Sequence, residues 1–295
     1  MKKSFFAIIS LLLFSCAKDS IVEEKPIPTQ PTIYKVVSHR GGYKESGAPE
    51  CSIQGLYYSK TLGCYAAECD IIITKDRRVL VCHPDDRGLV NGFVPYEKNL
   101  AEIRAAGKLK NNEDIPVIED FLDFLCDSEK NPYGMKIWID TKALSNLSYT
   151  IDAINVAYEA IKDRNAYDLC EFIIPQNNTL FNMVKQTAMF KEKKCNVAFM
   201  ASDPAALLAP SSIEENMWHA MRYNAIFSSS AKYTLTDYFT NDVQVSIWCT
   251  STMSTEDTEL LQKALPYYQD DHLKAIFVNY PNAAIKKIKA EGLNQ

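Results

Sequence analysis

The chain has 295 residues, 47% of them hydrophobic and 23% charged, which is ordinary globular composition with enough apolar material for a large core. A net charge of −5 gives no hint of a nucleic-acid partner, which would favour a basic patch, and none is expected. The acidic balance does not exclude an anionic small substrate, because the local field at a site decides its binding.

Residues 1–16 read as a targeting segment. Lys2 and Lys3 form a positive start, and Phe5 to Phe14 is apolar but too short to span a bilayer. Leu13-Phe14-Ser15-Cys16 resembles the lipobox of bacterial lipoproteins, in which the cysteine becomes the lipid-modified N-terminus after cleavage. An ordinary secretory signal is the alternative. Residues 17–32 read as a flexible linker, since Pro26, Pro28 and Pro31 resist helix and sheet. The expected product is exported and held at the cell envelope by a lipid on Cys16, with the folded domain in residues 33–295. Eight cysteines remain after Cys16, and an exported protein permits disulfides. Their spacings match no C-x-x-C metal pattern. Cys51, Cys64, Cys126, Cys170, Cys195 and Cys249 look like small core residues.

Strand-like and helix-like segments then alternate. Ile33 to Ser38 is a β-branched strand, Glu50 to Leu62 a helix, Tyr65 to Ile73 and Val79 to His83 two strands. Glu97 to Ala106 and Val117 to Leu125 are helical, Met135 to Thr141 a strand, and Ile151 to Arg164 a helix. Glu171 to Pro175 is a strand and Leu180 to Phe190 a helix. Asn196 to Met200 follows as a strand, Ile213 to Met221 as a helix and Ala225 to Ser228 as a strand. A short helix near Leu235 to Phe239 precedes the strand Val243 to Trp248, the helix Thr255 to Leu265, the strand Leu273 to Val278 and the helix Ala283 to Ala290. Continuous apolar strands alternating with amphipathic helices imply a parallel sheet covered by helices.

Nine strands are one more than a (β/α)₈ TIM barrel needs. The turn around Lys75-Asp76-Arg77-Arg78 is too short for a parallel crossover, so its two strands should form an antiparallel hairpin. A turn centred between Asp76 and Arg77 would pair Asp70 with His83. Alternation then puts Glu68, Asp70 and His83 on one face, with Cys69 and Cys82 on the other as packed thiols or a cross-strand disulfide. The stretch Pro84 to Pro116 is long for a βα loop and should form a small cap over the same site.

Barrel enzymes carry their chemistry at the C-terminal ends of strands. His39 and Arg40 end the first strand, Glu68 and Asp70 lie toward the end of the second, and Asp140 and Lys142 end the strand Met135 to Thr141. Three carboxylates suit one hard divalent cation, Mg²⁺ or Ca²⁺. Arg40 offers a planar fork for phosphate and Lys142 a point charge. His39 and His83 fit general acid and base. Duller readings exist: Asp140 as a helix cap, Lys142 as a surface lysine, His219 as a surface or packing residue on a helix. His272 reads as part of a polar turn with Asp270 and Asp271.

These residues resemble the glycerophosphodiester phosphodiesterase family over nearly the whole of Ile33 to Pro281. The family's H-R-G appears as His39-Arg40-Gly41, and its P-E-N-T as Pro49-Glu50-Cys51-Ser52. The run around E-x-D extends from Gly63 through Glu68, Asp70 and Thr74 to Asp76, and v-v-x-H-D becomes Leu80-Val81-Cys82-His83-Pro84. The Trp strand is Ile247-Trp248-Cys249-Thr250-Ser251, and the late T-D-x-P turn is Val278-Asn279-Tyr280-Pro281. The resemblance implies a TIM-barrel phosphodiesterase that cleaves glycerophosphodiesters to glycerol 3-phosphate and an alcohol. It further implies His39 and His83 as the catalytic pair, and Glu68, Asp70 and Asp140 as metal carboxylates, Asp140 standing where the family usually has Glu. Glu50 would stand behind the site or touch substrate. Pro84, Cys51 and Ser251 depart from the pattern. Related readings are a phospholipid or sphingolipid head-group phosphodiesterase and a non-catalytic lipoprotein that binds phosphorylated ligands.

Overall fold

Runs of β-branched and apolar residues, buried on both faces, set up the sheet. In a computed structural model, which describes residues 32–249 and 254–293, nine strands form. They are β1 (Tyr34–Ser38), β2 (Cys64–Ile73), β3 (Val79–Val81), β4 (Lys136–Thr141), β5 (Cys170–Ile174), β6 (Asn196–Ala201), β7 (Met217–Arg222), β8 (Val245–Trp248) and β9 (Leu273–Val278). The order is β1-β9-β8-β7-β6-β5-β4-β2-β3, and β1 also pairs with β2. The eight parallel strands therefore close on themselves, and β3 hangs antiparallel on β2. This is a (β/α)₈ barrel with one extra hairpin strand, as the alternation implied. The leader, Cys16 and all but the last residue of the 17–32 linker lie outside the described residues. Among the described residues no helix is long and apolar enough to cross a membrane.

Alternate residues fill the barrel's interior. Val37, Ala66, Trp138, Ile173, Trp218 and Phe277 pack there, while the opposite strand faces pack under the helices. The insertion after β3 has its own small core, in which Val90, Ile103 and Ile115 pack on Ile72 and Leu80.

Two expectations fail. The helix expected over Ile213 to Met221 is a loop and turn leading into strand β7, and the strand expected over Ala225 to Ser228 is replaced by a short helix, Tyr223–Ile226. The polar His219 hides the alternation of Met217 to Met221. Rather than lying on a helix, it is wholly buried in β7, where Nδ1 donates to the Phe199 carbonyl at 2.9 Å and Nε2 accepts the Leu208 N–H at 3.1 Å. Burial pushes its pKa down to about 4, so it is a neutral structural residue.

The hairpin register is also one residue away from expectation. Ile71 pairs with Val81, and the Cys82 N–H donates to the Asp70 carbonyl at 3.0 Å, so Asp70 faces Cys82 and not His83. The loop has three residues between Thr74 and Arg78, and Arg77 takes φ +58° to close it. Every described cysteine is a free thiol, buried except Cys126, so packed thiols replace the possible cross-strand disulfide.

Candidate active site

The turn after β1 builds the centre. His39 and Arg40 leave the strand in a 3₁₀ turn with Arg40 at φ +48°. Gly41, at φ +74°, then lies so near the helix Ile53–Leu62 that a Cβ would stand 2.8 Å from the Gly55 backbone. This close approach seats the turn over the barrel mouth.

His39 is buried. Its Nδ1 lies 2.6 Å from Asn279 Oδ1, and its Nε2 lies 3.9 Å from Glu68 Oε2. The amide oxygen accepts only, so Nδ1 carries the proton and Nε2 keeps its lone pair. Burial, reinforced by the Arg40 charge, pushes the His39 pKa down to about 3. Asn279 is in turn fixed from behind: Asp257 Oδ2 accepts the backbone N–H groups of Asn279 (3.1 Å) and Tyr280 (3.0 Å). The sequence placed Asn279 in a motif turn without a task; its signal is its position one residue beyond β9, the strand beside β1.

Glu68, Asp70 and Asp140 present carboxylate oxygens within 4.8 Å of one another. Glu68 and Asp70 are buried and Asp140 is partly buried. Asp140 is not a helix cap, because the next helix, Leu147–Asp163, is capped by Asn146. Arg40 and Lys142 do not reach out as open phosphate-binding groups in this structure. Arg40 Nη1 bonds Glu50 at 2.8 Å and Nε pairs with Asp70 at 3.1 Å. Lys142 Nζ sits between Asp70 (2.5 Å) and Asp140 (2.6 Å). Glu50 thus braces Arg40 from behind. Burial pushes the Glu68 pKa well up, helped by the charges of Asp70 and Asp140; it also raises Asp140. Burial would raise Asp70 as well, but Lys142 and Arg40 hold it below the usual range.

The site fits a hard divalent cation. Three carboxylates face only two cationic side chains, and Glu68 Oε1 and Asp140 Oδ1 are buried without a hydrogen-bond donor. Acceptor-only oxygens of this kind are what such an ion binds.

His83 follows β3 and is half-buried, its pKa lowered by burial. It and His39 line a cleft of about 550 Å³ together with Leu89, Val90, Leu109 and Ile115 of the insertion. The hairpin therefore delivers His83 to the mouth despite the changed register. His272 stays far from this centre in sequence and role. It sits in its polar turn, bonded to Asp270 (2.8 Å) and Asp242 (3.1 Å).

Fold and site together define a TIM barrel with a buried acid cluster, two histidines and two cations at the C-terminal mouth. Solved structures share that barrel. A glycerophosphodiester phosphodiesterase from Parabacteroides distasonis is 18% identical, with TM-score 0.70, covering 88% of this chain and 99% of its own. An Oleispira antarctica phosphodiesterase, in complex with the product sn-glycerol-3-phosphate, is 18% identical with TM-score 0.61, covering 88% of this chain and 97% of its own. A Thermotoga maritima glycerophosphodiester phosphodiesterase is 15% identical with TM-score 0.59, covering 86% and 98%. No protein-family model and no curated sequence matches the chain. At these identities the likeness establishes the fold.

Proposed function

We propose that the chain is a metal-dependent phosphodiesterase of the glycerophosphodiester phosphodiesterase family, cleaving glycerophosphodiesters to glycerol 3-phosphate and an alcohol. The observation that carries this reading is the Glu68, Asp70 and Asp140 triad, two of its members buried, with His39 beside it and His83 lining a cleft with His39. The barrel shared with phosphodiesterases, one of them holding sn-glycerol-3-phosphate, supports the substrate class.

Glu68, Asp70 and Asp140 would hold one Mg²⁺ or Ca²⁺. When bound, the ion supplies positive charge to a phosphoryl oxygen. Arg40 and Lys142 add fixed positive charge on the same side and favour the monoanionic diester. His39 Nε2 takes the proton of the attacking oxygen. The new P–O bond forms as the bond to the alcohol breaks, and His83 gives its proton to the leaving oxygen. The attacking oxygen belongs to water or to a neighbouring substrate hydroxyl; the second route passes through a cyclic phosphate, detectable in ³¹P spectra.

Leu89, Val90, Leu109 and Ile115 give the cleft apolar lining beside Asp85, Asp86 and Asn91, which favours a second reading, a phospholipid head-group phosphodiesterase. We further propose anchoring through Cys16 at the envelope, which would put either activity next to lipid. The test is a substrate panel of glycerophosphodiesters and monoacyl phospholipids, run with EDTA and with Mg²⁺ or Ca²⁺ restored. Metal-restored release of glycerol 3-phosphate supports the first reading, and preference for the acylated substrates supports the second. No turnover and no metal binding would leave a phosphate-ligand-binding lipoprotein.

A further inference from the structure

Lys142 stands one residue beyond β4, which ends at Thr141. From Lys142 to Asn146 the chain is neither strand nor helix, and Asn146 then caps the helix Leu147–Asp163 by accepting the Ser148 N–H at 3.0 Å. A lysine carries its charge on a flexible four-carbon stem, so the place of its ammonium depends on how firmly its backbone is held. Beyond the strand, two contacts hold this stretch.

The first is Thr150, buried in that helix. Its hydroxyl works in both directions: Oγ1 donates to the Lys142 carbonyl at 2.6 Å and accepts the Leu144 N–H at 3.2 Å. A helical threonine ordinarily returns its hydroxyl to the carbonyl one turn back in its own helix. Thr150 instead reaches eight residues back to Lys142 and six back to Leu144, and it is not the helix cap. The second contact is Leu144. It packs against the small core of the insertion that contains Val90 and Ile115, and those two residues also line the cleft beside His83. Next to Thr150, Tyr149 stacks on Tyr96 of the insertion, ring centroids 4.2 Å apart and 12° from parallel. The insertion therefore grips the loop at Leu144 and the helix start at Tyr149, and Thr150 ties loop to helix. At the end of this packed body Lys142 Nζ reaches Asp70 (2.5 Å) and Asp140 (2.6 Å).

Resting on the phosphodiesterase reading, with Lys142 as a cation on the phosphate side, we propose that Thr150 is a positioning residue for Lys142. Its hydroxyl locks the Lys142–Leu144 turn, and Leu144 seats that turn on the insertion core. The ammonium that faces the phosphate and the cleft lining beside His83 are thereby carried on one body. Thr150 touches no substrate and acts through the Lys142 backbone.

The test uses the full chain in detergent. Thr150→Val keeps the branched shape and removes the hydroxyl, while Thr150→Ser keeps the hydroxyl. Lys142 is acetylated with acetic anhydride and followed by mass spectrometry relative to the exposed Lys162. With the bridge gone, Lys142 should label about 3- to 10-fold faster in Thr150→Val and at the unaltered rate in Thr150→Ser. Leu144→Ala, which loosens the other grip, should raise the labelling in the same direction. On a glycerophosphodiester, kcat should fall over the same range in Thr150→Val and recover in Thr150→Ser. In a Lys142→Met background, Thr150→Val should change kcat by less than about 2-fold, because the group it positions is gone. Unmoved Lys142 labelling in Thr150→Val overturns the positioning role, whether or not the chain turns over substrate. So does an equal kcat loss in the Lys142→Met background, or one that Thr150→Ser does not restore. Raised labelling in a chain that cleaves no glycerophosphodiester overturns the phosphodiesterase reading alone and upholds the hold of Thr150 on Lys142.

Discussion

His39 Nδ1 and Asn279 Oδ1 lie 2.6 Å apart across the β1–β9 seam that closes the barrel. The amide orients the imidazole and selects the tautomer with a bare Nε2, yet lends no negative charge. Asn279→Ala should lower kcat about 10-fold or more while KM moves little, because the ring loses its tautomer and aim before it loses substrate contacts. Asn279→Asp keeps an acceptor in place and should recover most of the rate. Steady-state kinetics beside thermal melting checks this; equal losses in kcat and melting temperature for both variants would reduce Asn279 to a packing role.

The two histidines separate by leaving group. His39→Ala and His83→Ala should each reduce kcat by roughly 10²-fold on an alkyl diester, without unfolding the barrel. A p-nitrophenol leaving group needs no protonation, so it should restore His83→Ala far more than His39→Ala. Equal restoration of both would remove the assignment of His39 as base and His83 as acid.

How much of this was legible in the chain follows from distance along it. Glu68, Asp70, Asp140 and Lys142 were readable because alternation and strand ends are local signals, and the structure gathers all four. The hairpin was readable as a hairpin, but its register depended on Arg77 adopting φ +58°, which no periodicity shows. β7 was misread because the hydrogen bonds that let His219 lie buried in a strand come from Phe199 and Leu208 on other segments. The task of Asn279, legible only as part of a motif turn, stayed hidden for the same reason, since its partner lies 240 residues away in sequence. The engagement of Arg40 and Lys142 by carboxylates is likewise a product of closure.

Removing the carboxylates one at a time should expose the cation site directly. Asp70→Asn, Glu68→Gln and Asp140→Asn should each weaken Mg²⁺ or Ca²⁺ binding in isothermal titration. Asp70→Asn should also cost stability, because it strips Arg40 Nε and Lys142 Nζ of a buried counter-charge. Losing one partner of such a buried pair costs about 3 kcal/mol or more. Asp140→Asn leaves Lys142 paired with Asp70 and should fold more nearly like the unaltered chain. Unchanged metal affinity in all three variants would sink the triad as a ligand set.

Stability should also depend on pH at a place remote from the mouth. His272 is hydrogen-bonded to Asp270, and Asp242 lies at its other nitrogen; these partners raise its pKa above the ordinary value. A raised pKa in the folded state means that the protonated ring stabilises the fold. That contribution is fully present below the unfolded value, near 6.5, and is lost as pH rises through the folded one. The site is largely solvent-screened, so the effect is below about 1 kcal/mol. His272→Asn should melt lower than the unaltered chain at pH 5, with the gap shrinking toward pH 9. A gap that widens with pH would contradict the ion-pair account.

The envelope assignment rests on Cys16 and is checked independently of catalysis. In a lipidating bacterial host the full chain should fractionate with membranes and incorporate labelled palmitate, and Cys16→Ser should lose the label. Acyl chains on Cys16 would make attachment durable, since each buried methylene adds about 0.8 kcal/mol. Label retained by Cys16→Ser would move the modification elsewhere, and soluble, unlabelled starting protein would make the leader an ordinary secretory signal.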